Sequence, residues 1–227
     1  MRECPAFIAA LPREVSGLVR GWERHAWDTE AVVLYIEEGA VVAYAGMGND
    51  RAAIAAEIAI RTMPVTALLS VGLAGACDPQ LRAGDIVRAG LVYDAATGEA
   101  FGGPEHRQVL VTTHGIASVR EKARLHALYG AHAVDLEASG VARIARANGL
   151  PFYSIKAISD EVDFEIEELS RFATAGGQFR EAAFALHAAL RPAMWDKVLT
   201  LGRNSHKALR ALTAALKGEI DLYQSKC

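Results

Sequence analysis

The chain alternates between short apolar runs and segments whose apolar residues recur at helical spacing. The stretch from Val134 to Asp163 shows this order most clearly. It begins with a short apolar run that ends in VDLE. A helical segment follows, with Val141, Ile144 and Ala145 on one face, and then a second apolar run, FYSIKAI. Continuous apolar runs are typical of strands buried on both faces of a parallel sheet. The pattern therefore predicts one α/β domain with a central, mostly parallel mixed sheet flanked by helices.

Further runs extend this order toward the N-terminus. Strands are predicted over residues 6–11, 65–71, 86–93 and 108–113, together with a hairpin over residues 31–45. Helices are predicted to begin at Pro12 and to span residues 49–62, 118–129 and 178–190. The polar, glycine-rich segment 94–107 is predicted to form a loop and is a candidate lid.

Residues 191–227 differ from residues 1–190, which we predict to hold the α/β domain. A long amphipathic helix is predicted to begin at Pro192. Its apolar residues fall close to one face and comprise Trp195, Val198, Leu199, Gly202, Leu209, Leu212 and Leu216. Its basic residues cover the rest and comprise Lys197, Arg203, Lys207, Arg210 and Lys217. Two interpretations stay open: a helix packed on its own domain with a solvated basic face, or a helix lying on a membrane surface.

Charge and cysteine content narrow the class of protein. The 227 residues carry a formal net charge of −3, so no global basic field favours nucleic acid as a partner. Cys4, Cys77 and Cys227 are widely spaced, which predicts neither a disulfide framework nor a zinc site and favours a reducing compartment. No apolar run reaches the ~18 residues of a membrane span, and no signal peptide is evident. We therefore expect a cytoplasmic protein without a metal or other cofactor.

Carboxylates follow the predicted strands of the Val134–Asp163 stretch. Glu137 stands just after the first strand, and Asp160 follows Ser159 at the end of the second. Ligands of α/β proteins bind in the crevice outside the carboxyl ends of the strands. Two acids there suggest one that orients a substrate and one that moves a proton. Glu14 lies at a similar junction. Helix capping, or a favourable charge in a first helical turn, is the alternative interpretation for all of these acids.

Small residues mark two further positions at strand ends. Gly46-Met47-Gly48 precedes the helix over residues 49–62, whose first turn holds Arg51, and a helix N-terminus of this kind is a candidate anion cradle. The third glycine of a dinucleotide fingerprint is missing, which argues against a Rossmann dehydrogenase. Gly72-Leu73-Ala74-Gly75 follows a buried strand and permits either close approach to a ligand or tight packing.

Four segments together resemble the nucleoside phosphorylase/nucleosidase superfamily over residues 6–165. They are LPREV with Glu14, the GMG turn with its helix, VGLAGACDPQLRAGDIV, and VDLEASG with AISD. The resemblance is to the methylthioadenosine/S-adenosylhomocysteine nucleosidases in these segments. The run TTHGIASVREKARLHALYGAHAVDLE and the long C-terminal helix look more like the hopanoid-associated phosphorylases. The resemblance implies a nucleoside phosphorylase-like catalytic domain over residues 1–190.

The resemblance also implies roles for individual residues. Glu14 would help to position the attacking water, Glu137 would bind the ribose hydroxyls, and Asp160 would protonate N7 of the departing purine. The other implied substrate-binding residues are Leu136, Ser159, Gly72, Ile116 and Ala117. The residues implied for water or phosphate are Gly48, Arg51 and Gly75.

Three residues depart from the family pattern. Ser70 and Leu73 stand where the phosphorylases carry the Arg and Ser/Thr that hold phosphate. Ile116 stands where the nucleosidases carry a Phe that stacks on the base. A non-catalytic nucleoside-binding module is therefore the alternative to an enzyme. Among enzymes, a general purine nucleoside phosphorylase is the alternative.

The leading hypothesis from the resemblance is that the protein releases adenine from a 5′-substituted adenosine. The substrate would be an adenosyl-lipid or of the methylthioadenosine/S-adenosylhomocysteine type, with water or inorganic phosphate as the acceptor. The resemblance further implies a homodimer. An adenosyl-lipid substrate would give the C-terminal helix a peripheral membrane contact.

Overall fold

The computed structural model describes residues 4–27, 32–37, 39–102, 108–164 and 191–225, together with residues 172, 183, 184 and 187. Its strands are β1 Cys4–Ala9, β2 Glu23–Trp27, β3 Val32–Glu37, β4 Ala40–Tyr44, β5 Val65–Ala76, β6 Ile86–Ala89, β7 Leu91–Asp94, β8 Ala100–Gly102, β9 Val109–Thr112, β10 Ala133–Asp135 and β11 Phe152–Asp160. Its helices are α1 Pro12–Val15, α2 Asn49–Thr62, α3 Val119–Tyr129, α4 Ala138–Ala147 and α5 Trp195–Gln224, the last preceded by a 3-10 turn over Pro192–Met194.

The strands form one mixed sheet in the order β2-β3-β4-β1-β5-β10-β9-β7-β8, with β11 beside β5 and β6 beside β11. β5 runs parallel to β1 and β11, whereas the short β10 pairs with its end antiparallel. Parallel pairing therefore dominates the centre, and antiparallel pairs such as β2–β3, β3–β4 and β7–β8 lie toward the edges. The mixed α/β sheet flanked by helices confirms the predicted fold class, with more antiparallel pairing than expected.

Some predicted boundaries were wrong, and the causes are long-range pairings. The strand predicted over residues 86–93 is two strands that part at Gly90, because β6 pairs with β11 and β7 pairs with β9. β2 was missed. Part of the predicted loop 94–107 is β8, which pairs with β7, and residues 103–107 lie outside the described residues. The predicted helix over residues 178–190 also lies largely outside the described residues.

Helix α5 packs on its own domain through its second half. Ala208, Leu212, Leu216 and Ile220 are buried in the same cluster as Phe7 and the central strands. The predicted apolar face was wrong in its first half, where Trp195 and Leu199 are 51% and 61% exposed. Residues from the first half of α5 are not part of that buried cluster, and several of them line a pocket. None of the helices in the described ranges combines the length and apolarity that a membrane crossing needs.

Candidate active site

The site lies at a gap in the pairing along β5. On one edge of β5, β1 pairs with residues 65–70 and β10 pairs with Gly75 and Ala76. The opposite edge is occupied by β11 along residues 68–75. Among the described strands, none pairs with residues 71–74 on the first edge, and a buried backbone without a strand partner must find other hydrogen-bond partners.

Glu14 supplies one of those partners. Its Oε1 accepts the N–H of Leu73 at 2.9 Å, and its Oε2 accepts the N–H groups of Ala10 and Leu11 at 2.9 and 2.8 Å. A Cβ at Gly72 would lie 2.7 Å from Oε1, and Gly72 has a φ of +143°, so glycine is required there on both counts. Helix α1, which Pro12 opens, thus turns a carboxylate into the gap, where it joins β1 to β5.

Glu137 and Asp135 stand side by side after β10. Glu137 accepts the N–H of Gly48 at 3.0 Å on Oε1 and that of Leu136 at 3.3 Å on Oε2. Asp135 accepts the Thr112 hydroxyl at 2.7 Å and the N–H of Ala138 at 2.9 Å, which anchors the start of α4. Both carboxylates line the pocket, but the hydrogen bonds of Asp135 tie it to β9 and α4.

A buried ammonium compensates part of this negative charge. Lys156 lies in the middle of β11, is 0% exposed, and donates to Asp135 Oδ2 at 2.8 Å. Burial would lower the pKa of Lys156, but the carboxylates of Asp135 and Glu137 outweigh it and raise the pKa. Lys156 does not fully offset the negative charge around Glu137. Burial, together with the charges of Asp135 and Glu14, raises the pKa of Glu137 to about 7, although Lys156 acts to lower it.

Asp160 ends β11 and meets a second buried ammonium. Its Oδ2 accepts from Lys122 Nζ at 2.5 Å, and its Oδ1 accepts from the Ser159 hydroxyl at 2.7 Å. Lys122 extends from α3, is 2% exposed, and also donates to the carbonyls of Glu161 and Phe164. The alternative interpretation of Asp160 as a helix cap finds no support in the described residues, because a turn, not a helix, follows it at 162–163.

Gly75 makes room for this ion pair. A Cβ at Gly75 would lie 2.9 Å from Asp160 Oδ2 and 3.1 Å from Lys122 Cε. Both distances are shorter than ordinary van der Waals contact, so any side chain there would displace the pair.

A pocket of about 400 Å³ connects these groups, a volume within the range of small-molecule sites. Its polar lining includes Glu14, Asp135, Glu137, Ser159, Asp160 and Lys122. Its apolar lining includes Leu11, Met47, Leu73, Ile116, Ala117, Val134, Leu136, Phe184, Val198 and Leu201. Carboxylates able to hold hydroxyls or move a proton thus face the same space as a largely apolar wall.

Most of the predicted site residues meet in this pocket. Those that line it are Glu14, Gly75, Ile116, Ala117, Leu136, Glu137, Ser159 and Asp160. Gly72 and Gly48 stand behind it, the first against Glu14 and the second donating its N–H to Glu137. Arg51, in α2, is not among the described residues that line the pocket.

The sequence interpretation missed both lysines and the contribution of α5. A lysine inside the apolar run FYSIKAI was a usable signal for Lys156, since a buried charge needs a partner. Lys122 carried a weaker signal, as one charged residue among several in a helix. The N-terminal half of α5 adds Val198, Leu201, Gly202 and Ser205 to the pocket, which only its packing revealed.

Comparison with known proteins adds a family match, one relative by sequence and two similar structures. The model of the phosphorylase superfamily matches residues 6–115 and 95–193. An aminodeoxyfutalosine nucleosidase of Campylobacter jejuni is 23% identical over 205 residues, which cover 72% of this chain and 90% of that protein. The futalosine hydrolase of Helicobacter pylori superposes with a TM-score of 0.71 at 16% identity, covering 96% of this chain and 97% of the other. The 5′-methylthioadenosine nucleosidase of Arabidopsis thaliana gives 0.72 at 15% identity, covering 98% and 97%.

Proposed function

The chain belongs to the phosphorylase superfamily of nucleoside phosphorylases and nucleosidases, and from this premise we propose that it hydrolyses a 5′-substituted adenosine to release adenine. The observation that carries the proposal is the meeting of Glu14, Glu137 and Asp160 in one pocket that also has an apolar wall. Several relatives act on nucleosides by name, and one acts on 5′-methylthioadenosine.

The chemistry divides between two ends of the pocket. At the base end, Asp160 protonates N7 as the N-glycosidic bond breaks, which lowers the energy of the leaving group; general acid catalysis of this kind contributes ~10²–10⁴-fold. At the ribose end, the Glu137 carboxylate accepts hydrogen bonds from the two ribose hydroxyls. Glu14, held by three backbone N–H groups, orients the acceptor toward the anomeric carbon.

Water is the acceptor that the charges favour. Among the described buried groups, the ribose end holds three carboxylates, Glu14, Asp135 and Glu137, and one ammonium, Lys156. The exposed Arg13 also lines the pocket, and with both cations counted the negative charges still exceed the positive ones by one. Repulsion from this excess of negative charge disfavours a phosphate dianion. Moreover, the N–H groups of Gly48 and Leu73, which an anion would use, donate to carboxylates. A neutral water molecule meets neither obstacle.

The 5′ substituent that suits the pocket is apolar. Val198 and Leu201 of α5, with Phe184, give the pocket an apolar lining that no ribose or adenine hydrogen bond requires. A methylthio group or the first carbons of a lipid chain would pack there and be removed from water, worth about 0.8 kcal/mol per buried methylene. The amino-acid tail of S-adenosylhomocysteine, with its two charges, would be disfavoured.

Adenine release from four substrates, with and without phosphate, tests the proposal. Methylthioadenosine and a 5′-alkyl adenosine should exceed adenosine and S-adenosylhomocysteine in kcat/KM, and phosphate should not change the rate. The variant Leu201→Glu should reduce the preference for apolar substituents, while the exposed Lys217→Met is the matched control on the same helix. Strict dependence on phosphate would replace hydrolysis with phosphorolysis. No adenine from any substrate would overturn the proposed substrate class.

A further inference from the structure

One buried charged group of the pocket has no task in the mechanism above. Lys156 balances the carboxylates of the ribose end, but Lys122 is equally buried and contacts the general acid itself. Its three ammonium protons have three acceptors within 3.1 Å: Asp160 Oδ2 and the carbonyl oxygens of Glu161 and Phe164. A lysine placed this way both positions Asp160 and holds a proton next to it.

We propose that Lys122 supplies the proton that Asp160 passes to the departing base. The inference rests on the proposed function, because it concerns how the same bond cleavage obtains its acid. A free aspartic acid loses its proton near pH 4, whereas an ammonium keeps its own to about pH 10. An ionised aspartate beside an ammonium can therefore receive a proton from that ammonium at neutral pH.

The transfer balances in protons and electrons. The bond between C1′ and N9 breaks, and its electron pair stays on the base. Asp160 begins as a carboxylate, takes a proton from the Lys122 ammonium and passes it to N7, and so ends as a carboxylate beside a neutral Lys122 amine. The oxygen of the water molecule forms a bond to C1′, and the proton that the water molecule loses goes to Glu14. After release, Glu14 gives that proton to solvent and the Lys122 amine regains one, which restores the starting state.

The surroundings of the pair suit such a transfer. Lys122 Nζ donates directly to Asp160 Oδ2, so the proton donor and its acceptor are in contact. The Ser159 hydroxyl holds the other oxygen, so the carboxyl group cannot turn away from Lys122. The missing side chain at Gly75 leaves space for both partners. A purely structural ion pair would need none of these groups to face the pocket, yet Gly75, Lys122, Ser159 and Asp160 all line it.

Two substitutions separate the proton of Lys122 from its charge. Lys122→Arg keeps a cation but provides a group that does not give up its proton, and Lys122→Met removes both. We expect both variants to lose at least tenfold in kcat at pH 7.5 on the best adenine nucleoside. Activity of Lys122→Met should recover as the pH falls, because Asp160 then takes its proton from solvent. Lys217→Met, which removes an exposed lysine, should match the wild type.

A rescue experiment remains informative if arginine does not fit the buried space. Lys122→Ala opens a hole beside the pocket that small amines can enter. Ethylammonium, which carries a transferable proton, should restore adenine release, and tetramethylammonium, which carries only charge, should not. Full activity of Lys122→Arg, or equal rescue by both cations, would overturn the proton transfer and leave Lys122 an electrostatic role. Wild-type adenine release in the same assay checks the proposed function separately.

Discussion

The two ends of the pocket each pair a carboxylate with a buried lysine, but the charges balance at only one of them. At the base end, Lys122 and Asp160 form a one-to-one pair. At the ribose end, Lys156 contacts Asp135 while Glu137 and Glu14 lie nearby, so three carboxylates share one ammonium. A balanced pair can pass a proton internally, whereas an unbalanced cluster leaves one carboxyl close to its titration point near pH 7.

This difference explains which residues hold the fold and which remain available for chemistry. The two carboxylate oxygens of Asp135 accept from Thr112, Ala138 and Lys156, so Asp135 has a structural role in the cluster. Among the described residues, Glu137 accepts hydrogen bonds from two backbone N–H groups, which leaves accepting capacity for a ligand. We therefore expect the ribose end to depend on its lysine for stability, and in the proposed mechanism the base end depends on its lysine for reactivity.

The largest effect on stability is expected from Lys156→Met. The substitution leaves three carboxylates without their cation in a fully buried place, and removing one partner of a buried ion pair costs about 3–5 kcal/mol. Thermal unfolding followed by circular dichroism should show a large drop in Tm at pH 7.5. Lowering the pH should recover part of it, since protonation relieves the repulsion. A Tm within two or three degrees of wild type would contradict this account of the cluster.

Asp160→Asn addresses the base end and should reduce kcat by at least ~10²-fold with a smaller change in KM. The amide keeps the shape of the carboxyl group but cannot relay a proton to N7. It also leaves Lys122 without its counter-charge, so Tm should fall as well. Steady-state kinetics and Tm measured together distinguish the two consequences. Unchanged activity would remove Asp160 from the role of general acid.

Glu137→Gln is expected to raise KM and lower kcat by roughly tenfold and to remove a pH dependence. Because the pKa of Glu137 is raised to about 7, the wild type gains carboxylate, and therefore ribose binding, as the pH rises through 7. KM of the wild type should fall between pH 6 and 8, and KM of the variant should stay level over the same range. A level wild-type profile would show that Glu137 does not titrate there.

The same pKa shift makes stability fall with rising pH, whereas ribose binding improves. A carboxyl group whose pKa rises on folding stabilises the protein below its unfolded pKa, near 4.3, and this contribution is lost as the pH rises through about 7. The Tm of Glu137→Gln relative to wild type should therefore increase from pH 5 to pH 8. A constant difference across that range would contradict the shift.

The smallest effect is expected from Gly75→Ala. The added methyl group would press on Asp160 Oδ2 and Lys122 Cε, and should lower kcat several-fold with a modest loss of Tm. Gly218→Ala on the exposed side of α5 is the matched control, since nothing lies within 4 Å of a Cβ there. Equal kinetics for the two variants would show that the base end tolerates a shift of its ion pair.

Local patterns by themselves determined much of this protein. The pattern of apolar residues predicted α2 over residues 49–62 and the strands that became β1, β5, β9 and β11, because continuous apolar runs and a period of 3.6 residues are properties of neighbouring positions. Residue types at strand ends then singled out Glu14, Glu137 and Asp160, and the resemblance to a nucleoside-cleaving superfamily was confirmed.

Only the tertiary structure decided how those residues are paired. Lys122 and Asp160 are separated by 38 positions and lie on different elements, so no local pattern relates them. The gap in β5 pairing exists because β1 and β10 reach one edge from different directions, which local periodicity does not encode. The charge balance at each end of the pocket likewise depends on which side chains burial brings together, because the electrostatic interactions that shift a pKa act through space.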